Sequence, residues 1–120
     1  MQSRALRPFR DAVVGYVKDK VKIGDPRDRE TMIAPEAAQR VAKWVDQAIA
    51  AGAKLATEKK VDGQCVGPIV LEQVPEDQPI SCEEAFAPVV PLEPYDDFAD
   101  AIAKVNRSPR ACRPVYLRAI

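Results

Sequence analysis

Apolar residues recur at helical spacing in three stretches of the chain and form short β-branched runs in between. Leu6, Phe9, Val13, Tyr16 and Val17 share one face at 3.6 residues per turn, which predicts a helix from Leu6 to Val21. Pro8 is tolerated if it falls in the first turn. Gly24-Asp25-Pro26 supplies a helix stop followed by a residue that forbids resumption. A second helix opens at Ala34-Pro35-Glu36 and runs to about Ala51, with Gly52 as its stop. Its apolar stripe is Val41, Trp44, Val45, Ala48 and Ile49, and its wet face is Arg40, Lys43, Asp46 and Gln47. Trp44 is expected in the core rather than as a ligand platform. A third helix follows Asp96 and Asp97, two acids suited to a cap and to the positive end of the helix dipole. It carries Phe98, Ile102 and Val105 on one face and ends at Asn106-Arg107-Ser108-Pro109.

Three runs read as strands: Lys54 to Thr57, Pro68 to Glu72, and Val89 to Leu92. Pro91 cannot donate to a sheet ladder, so the last of these belongs at an edge or an end. Asp62-Gly63 and Val74-Pro75-Glu76-Asp77 are turn signals. Ile80 leads into the stretch before the last strand. The order helix, helix, strand, strand, strand, helix predicts an α/β fold, with helices packed on a short mixed sheet. No internal repeat is present.

Composition narrows the function classes. The 120 residues can enclose one real core. Eighteen basic residues balance eighteen acidic ones, so nothing points to nucleic acid or an anionic membrane surface. No apolar run approaches the roughly 20 residues of a membrane-spanning helix. The chain has no histidine, which excludes a Ser-His-Asp triad, a Cys-His pair and most zinc sites. Cys65, Cys82 and Cys112 are scattered and odd in number, as expected in a reducing compartment, and the expected location is cytoplasmic. Arg4, Arg7 and Arg10, with no acid before Asp11, have part of the look of a mitochondrial transit peptide; the preferred reading is the basic side of an amphipathic helix.

The stretch Ser81-Cys82-Glu83-Glu84-Ala85-Phe86-Ala87-Pro88-Val89-Val90, followed by Tyr95-Asp96-Asp97-Phe98, carries the most specific pattern. It resembles the Glu-Glu-x-Phe-Gly/Ala-Pro-Val signature and Tyr-Asp-Asp-Phe helix start of the aldehyde dehydrogenase superfamily. Other segments keep register with that family: Gly24-Asp25-Pro26 with Asp28, Gly52-Ala53-Lys54-Leu55, Pro68-Ile69-Val70-Leu71, and Asn106-Arg107-Ser108-Pro109. There are departures. Met32-Ile33 follow Thr31 directly, where the family carries a short Asp-x-Gly-Pro piece. Glu58-Lys59-Lys60 fill a Gly-Gly turn, so that turn is either different or strained, because Glu and Lys resist positive φ.

The resemblance implies NAD- or NADP-dependent oxidation of an aldehyde to a carboxylic acid. A Cys thiolate attacks the aldehyde, amide groups hold the oxyanion, and a Glu activates water to hydrolyse the thioester. The segments carrying that Cys and Glu precede, in family order, the part this chain resembles, so no catalytic residue is assigned here. Two cofactor positions carry over: Glu84 matches the carboxylate that accepts hydrogen bonds from the nicotinamide-side ribose, and Phe86 matches the aromatic lining that ribose. Read without the resemblance, Glu84 is an exposed strand-edge acid and Phe86 a core residue. Glu83 and Glu84 do not form an acid/base pair, since neighbours in extended chain point to opposite faces. Cys112 lies near Arg110 and Arg113 without an identifiable base, and Cys82 is filler.

The expected organisation is therefore a partial aldehyde dehydrogenase catalytic domain over residues 1–109 and a divergent tail over 110–120. In that tail, Ala111-Cys112-Arg113-Pro114-Val115-Tyr116 stands where the family continues Tyr-Gly-Leu-Gln-Ala-Gly-Val. Codons that could encode Gly-Leu-Gln-Ala-Gly-Val followed by Tyr can give this string when read one base later, so the tail is expected to be out of frame. These 120 residues alone are expected to be inactive and not to bind NAD or NADP. Two other readings stand beside this one. One is a non-enzymatic protein pairing with a full-length dehydrogenase subunit, and the other is a small stand-alone α/β binding module.

Overall fold

The computed structural model describes residues 3–21, 34–83 and 85–107. The Gly24-Asp25-Pro26 stop, the Thr31-Met32 junction, Glu84, the Ser108-Pro109 turn and the tail from Arg110 lie outside the described residues.

Helix α1 spans Ser3–Lys20 and α2 spans Pro35–Ala50. Strand β1 is Lys54–Leu55, and a small hairpin follows in β2 (Val61–Asp62) and β3 (Cys65–Val66). Strand β4 is Ile69–Glu72, the short helix α3 is Pro79–Cys82, β5 is Val89–Leu92, and α4 is Phe98–Asn106. The three strands expected from the sequence form one mixed sheet in the order β1-β4-β5. Strand β4 is antiparallel to β1, with Leu71 opposite Leu55, and parallel to β5, with Ile69 opposite Val89 and Leu71 opposite Pro91. Among the described residues β5 is an edge strand, so the missing N–H of Pro91 removes no interior ladder bond.

Side chains on β4 alternate between two faces. Ile69 and Leu71 face α2, where Ala38, Val41, Val45 and Ala48 are fully buried against them and Val66. Ala53, Val74 and Ile80 close the ends of this core. Val70 and Glu72 point the other way and are also buried. Arg10 of α1 reaches Glu72 on that side, Nη1 to Oε2 at 3.4 Å. Helix α2 therefore covers one face of the sheet, and α1 reaches the other through Arg10. Thr57 continues the β1 edge with its side chain: its hydroxyl donates to the Pro68 carbonyl and accepts from the Val70 amide. Its burial matches that double role.

Several sequence expectations change. Helix α1 begins three residues before Leu6, which puts Pro8 in its second turn, where the ring removes one intrahelical donor. Tyr16 is exposed, because it lies about 100° around the helix from Val17 and beyond the side that meets the sheet. Ile49 is likewise on the solvent boundary of α2, in the last turn and to one side of the Val41–Val45–Ala48 stripe. Trp44 sits half-buried on the opposite boundary, packed on the core with the Arg40 guanidinium 5.2 Å from its ring centre. Gly52 takes φ +110°, the conformation its stop position requires.

The Glu58-Lys59-Lys60 turn is different rather than strained. None of the three has positive φ; the chain instead enters the β2–β3 hairpin, whose two-residue tip starts with Gly63 at φ +57°. Lys59 is tied to Asp46 of α2 at 2.6 Å, and the Lys60 carbonyl accepts from the Gly67 amide.

Candidate functional site

The stretch from Gln78 to Val90 links β4 to β5 across one end of the sheet. Gln78-Pro79 opens α3, with Pro at the first helical position and the Gln78 carbonyl accepting from the amides of Ser81 and Cys82. Ile80 plugs into the core against α2. Cys82 is half-buried, and its thiol contacts the Gln78 carbonyl at 3.3 Å, so it fills space as expected. Glu83 is extended and exposed at the end of α3.

The next residues alternate inward and outward. Ala85 and Ala87 pack against the core. Phe86, between them, is 78% exposed and sits at φ +46°. That combination is unusual. A bulky aromatic avoids the left-handed region because Cβ crowds the following carbonyl, at about 1–2 kcal/mol. Exposure of the ring leaves that strain without compensation from burial. Residues held in this way cluster at ligand contacts, where the surrounding structure over-determines them. The surroundings here do so. The two flanking alanines are anchored in the core, the Ala87 carbonyl accepts from the Val89 amide at 2.7 Å, and the Pro88 carbonyl accepts from the Ile69 amide at 2.8 Å. The structure thus holds an aromatic ring facing outward at the opening of β5. This corrects the reading of Phe86 as a core residue. Ala87, in the slot where the family more often has Gly, does not need positive φ.

Beyond β5, Asp97 caps α4, its carboxylate accepting from the Asp100 amide at 3.1 Å. The Tyr95 and Phe98 rings meet in a tilted contact at 6.1 Å. A charge cluster escaped the sequence reading because its members are far apart along the chain. Lys104 bonds Glu93 at 2.7 Å and lies 3.5 Å from Glu76, and Arg107 bonds Glu76 at 3.2 Å. The Arg107 hydrogen bond holds the Glu76 carboxyl below the usual carboxylate range. Burial pulls the Lys104 ammonium down, but the Glu93 hydrogen bond and charge, with Glu76 behind them, more than reverse this and raise it.

A separate groove of about 390 Å³ lies between the end of α1 and the Thr57–Lys60 segment, lined by Val17, Lys18, Val21, Thr57, Glu58, Lys60 and Pro68. It includes none of the residues from Gln78 to Val90, and its lining offers no convergent chemistry. Among the described residues there is no cluster of metal-ligating side chains, and no helix is long and apolar enough to cross a membrane.

A mixed sheet packed on helices, with an exposed aromatic held at the opening of β5, defines part of an α/β domain. The model of the aldehyde dehydrogenase family matches residues 1–113, and the chain belongs to that family. It is 36% identical over 104 residues to a 3-sulfolactaldehyde dehydrogenase of Priestia aryabhattai, covering 81% of this chain and 22% of the relative. The crystal structure of aldehyde dehydrogenase 21 from Physcomitrella patens, in complex with succinate, superposes with a TM-score of 0.80 at 35% identity, over 88% of this chain and 23% of the plant protein. The NADP-dependent glyceraldehyde-3-phosphate dehydrogenase of Bacillus halodurans, complexed with NADP, gives a TM-score of 0.80 at 25% identity, over 89% of this chain and 23% of that one. The chain thus spans about a fifth of the length of the relatives it matches.

Proposed function

We propose that these residues form part of the catalytic domain of an NAD(P)-dependent aldehyde dehydrogenase, in which Phe86 and Glu84 line the nicotinamide-side ribose. The observation that carries this reading is Phe86, exposed at φ +46° between two core-anchored alanines. A flat apolar ring fixed in that way fits the face of a sugar, and it is preorganised, so binding orders little that is not already ordered. Glu84 enters through the motif, as an acceptor for ribose hydroxyls. Hydride acceptance is the chemistry that NAD or NADP supplies when bound. Phe86 contributes position and water exclusion, and no residue of this chain is assigned to the reacting centre.

In the whole enzyme the reaction is oxidation of an aldehyde to a carboxylic acid through a Cys thioester. The 120 residues by themselves are expected to turn over no aldehyde. The test is a purified chain incubated with short aldehydes and either NAD or NADP, followed by the absorbance of the reduced nicotinamide. No reduction is expected, and turnover above the protein-free rate contradicts the proposal.

A second reading is a non-enzymatic chain that pairs with a full-length dehydrogenase subunit. Exposed Tyr16, Val90 and Phe98 favour it, because such surfaces bind proteins or aggregate. Co-purification of the chain with a full-length subunit supports this reading, and elution as a free monomer beside that subunit opposes it.

A further inference from the structure

The exposed ring of Phe86 is aimed by its backbone rather than by burial of its own side chain. Two residues downstream the chain is fixed. The Pro88 carbonyl accepts from the amide of fully buried Ile69 at 2.8 Å, where β5 joins β4. Few backbone torsions separate the ring from that bond. The Pro88 ring locks its own φ. It also crowds the preceding residue out of the helical region, which limits ψ of Ala87. The φ of Ala87 is then restrained by its Cβ. That Cβ packs against the core and disfavours positive φ, a region that Phe86 occupies at +46° and Ala87 does not. Glycine in the same slot enters that region freely.

We propose that Ala87 is a positioning residue for Phe86: its Cβ removes the widest backbone freedom left between the ring and the sheet, and thereby tightens binding of the NAD or NADP ribose. This rests on the cofactor reading given above. The ring touches the sugar, and Ala87 acts only through the ring. A loop that is already narrowed in the free protein loses less conformational freedom when the sugar docks. The family more often has Gly in this slot, so this chain is the more tightly preset of the two forms. For the same reason Ala87→Gly is a change that the fold accommodates.

The test is a double-mutant cycle in a graft in which residues 1–109 replace the matching segment of the Priestia aryabhattai 3-sulfolactaldehyde dehydrogenase. The dissociation constants of NAD and NADP are measured by calorimetry for the graft, Ala87→Gly, Phe86→Ala and the double variant, with thermal unfolding as the check that each is folded. Ala87→Gly is expected to weaken binding by about two- to fivefold, the effect of restoring glycine's freedom at one position. In the Phe86→Ala background the same change is expected to do nothing, because no ring remains to be aimed. A residue that merely holds the loop together would act equally in both backgrounds. An equal loss in both, or no loss in either, overturns the positioning role, and weaker binding by Phe86→Ala then leaves the cofactor reading intact. Binding unchanged by Phe86→Ala overturns the cofactor reading and the proposal with it. In the 120-residue chain without cofactor, Ala87→Gly is expected to speed exchange of the Val89 amide, which bonds the Ala87 carbonyl, and unchanged exchange there also overturns the restraint.

Discussion

Arg10 of α1 and Glu72 of β4 meet at 3.4 Å across the sheet face opposite the main core, and Glu72 is buried there. Of the contacts described, this is the one that ties the first helix to the central strand by charge. Arg10→Ala leaves a carboxylate facing a helix without its cation, so the unfolding temperature is expected to fall by a few degrees. Glu72→Gln in the Arg10→Ala background removes the stranded charge and recovers part of the loss. A double-mutant cycle by thermal denaturation checks this, and strict additivity contradicts it.

Leu71 is the hinge of the core. It is fully buried, opposite Leu55 on one side and Pro91 on the other, and it faces α2. Leu71→Ala is expected to destabilise the chain by about 2–5 kcal/mol, through lost transfer energy and the cavity left behind. Urea titration measures it. A cost under about 1 kcal/mol would mean that the sheet and α2 are not one cooperative unit.

Asp97 caps α4, a helix with no buried residue of its own. Asp97→Ala is expected to cost about 1 kcal/mol of local stability. Amide exchange in residues 98–106 should speed up by about fivefold while exchange in α2 stays unchanged. Asp97→Asn keeps the acceptor and should retain most of the protection.

The clamp on α4 responds to pH at both ends. Glu76 has its pKa lowered by the Arg107 hydrogen bond, so its contribution is complete above the ordinary glutamate value and is lost as pH falls through the depressed one. Lys104 has its pKa raised on balance, against its burial, by Glu93 and Glu76. Its contribution is present below the ordinary lysine value and is lost as pH rises past the raised one. Protection of α4 amides, corrected for intrinsic exchange, should therefore be flat near neutrality and decline below the glutamate range. Glu76→Gln should remove the acid-side decline.

Periodicity made much of this fold legible. The two long helices and the three strands of the sheet follow from 3.6- and two-residue spacing, with Gly52 and Pro91 marking an end and an edge. The β2–β3 hairpin and α3 were not legible, because strands of two residues and a helix of four are too short to show a period. The ion pairs of α4 were hidden for a different reason: Lys104 and Arg107 meet Glu93 and Glu76, which are distant in sequence, and helical spacing carries no signal of them. The site was legible only through its motif. Nothing in the string Ala85-Phe86-Ala87 announces that the positive φ falls on the aromatic.

The central claim is that Phe86 is a preformed contact for the cofactor ribose. The most direct measurement is the KM for NAD and NADP in a graft in which residues 1–109 replace the matching segment of the Priestia aryabhattai 3-sulfolactaldehyde dehydrogenase, with Phe86 intact and with Phe86→Ala and Phe86→Gly. The account predicts that both substitutions raise the KM by about 5–30-fold, the equivalent of about 1–2 kcal/mol of lost apolar contact, and that Phe86→Gly stabilises the fold by up to about 1 kcal/mol as the left-handed strain is released. An unchanged KM for both cofactors, with the enzyme folded and active, contradicts it.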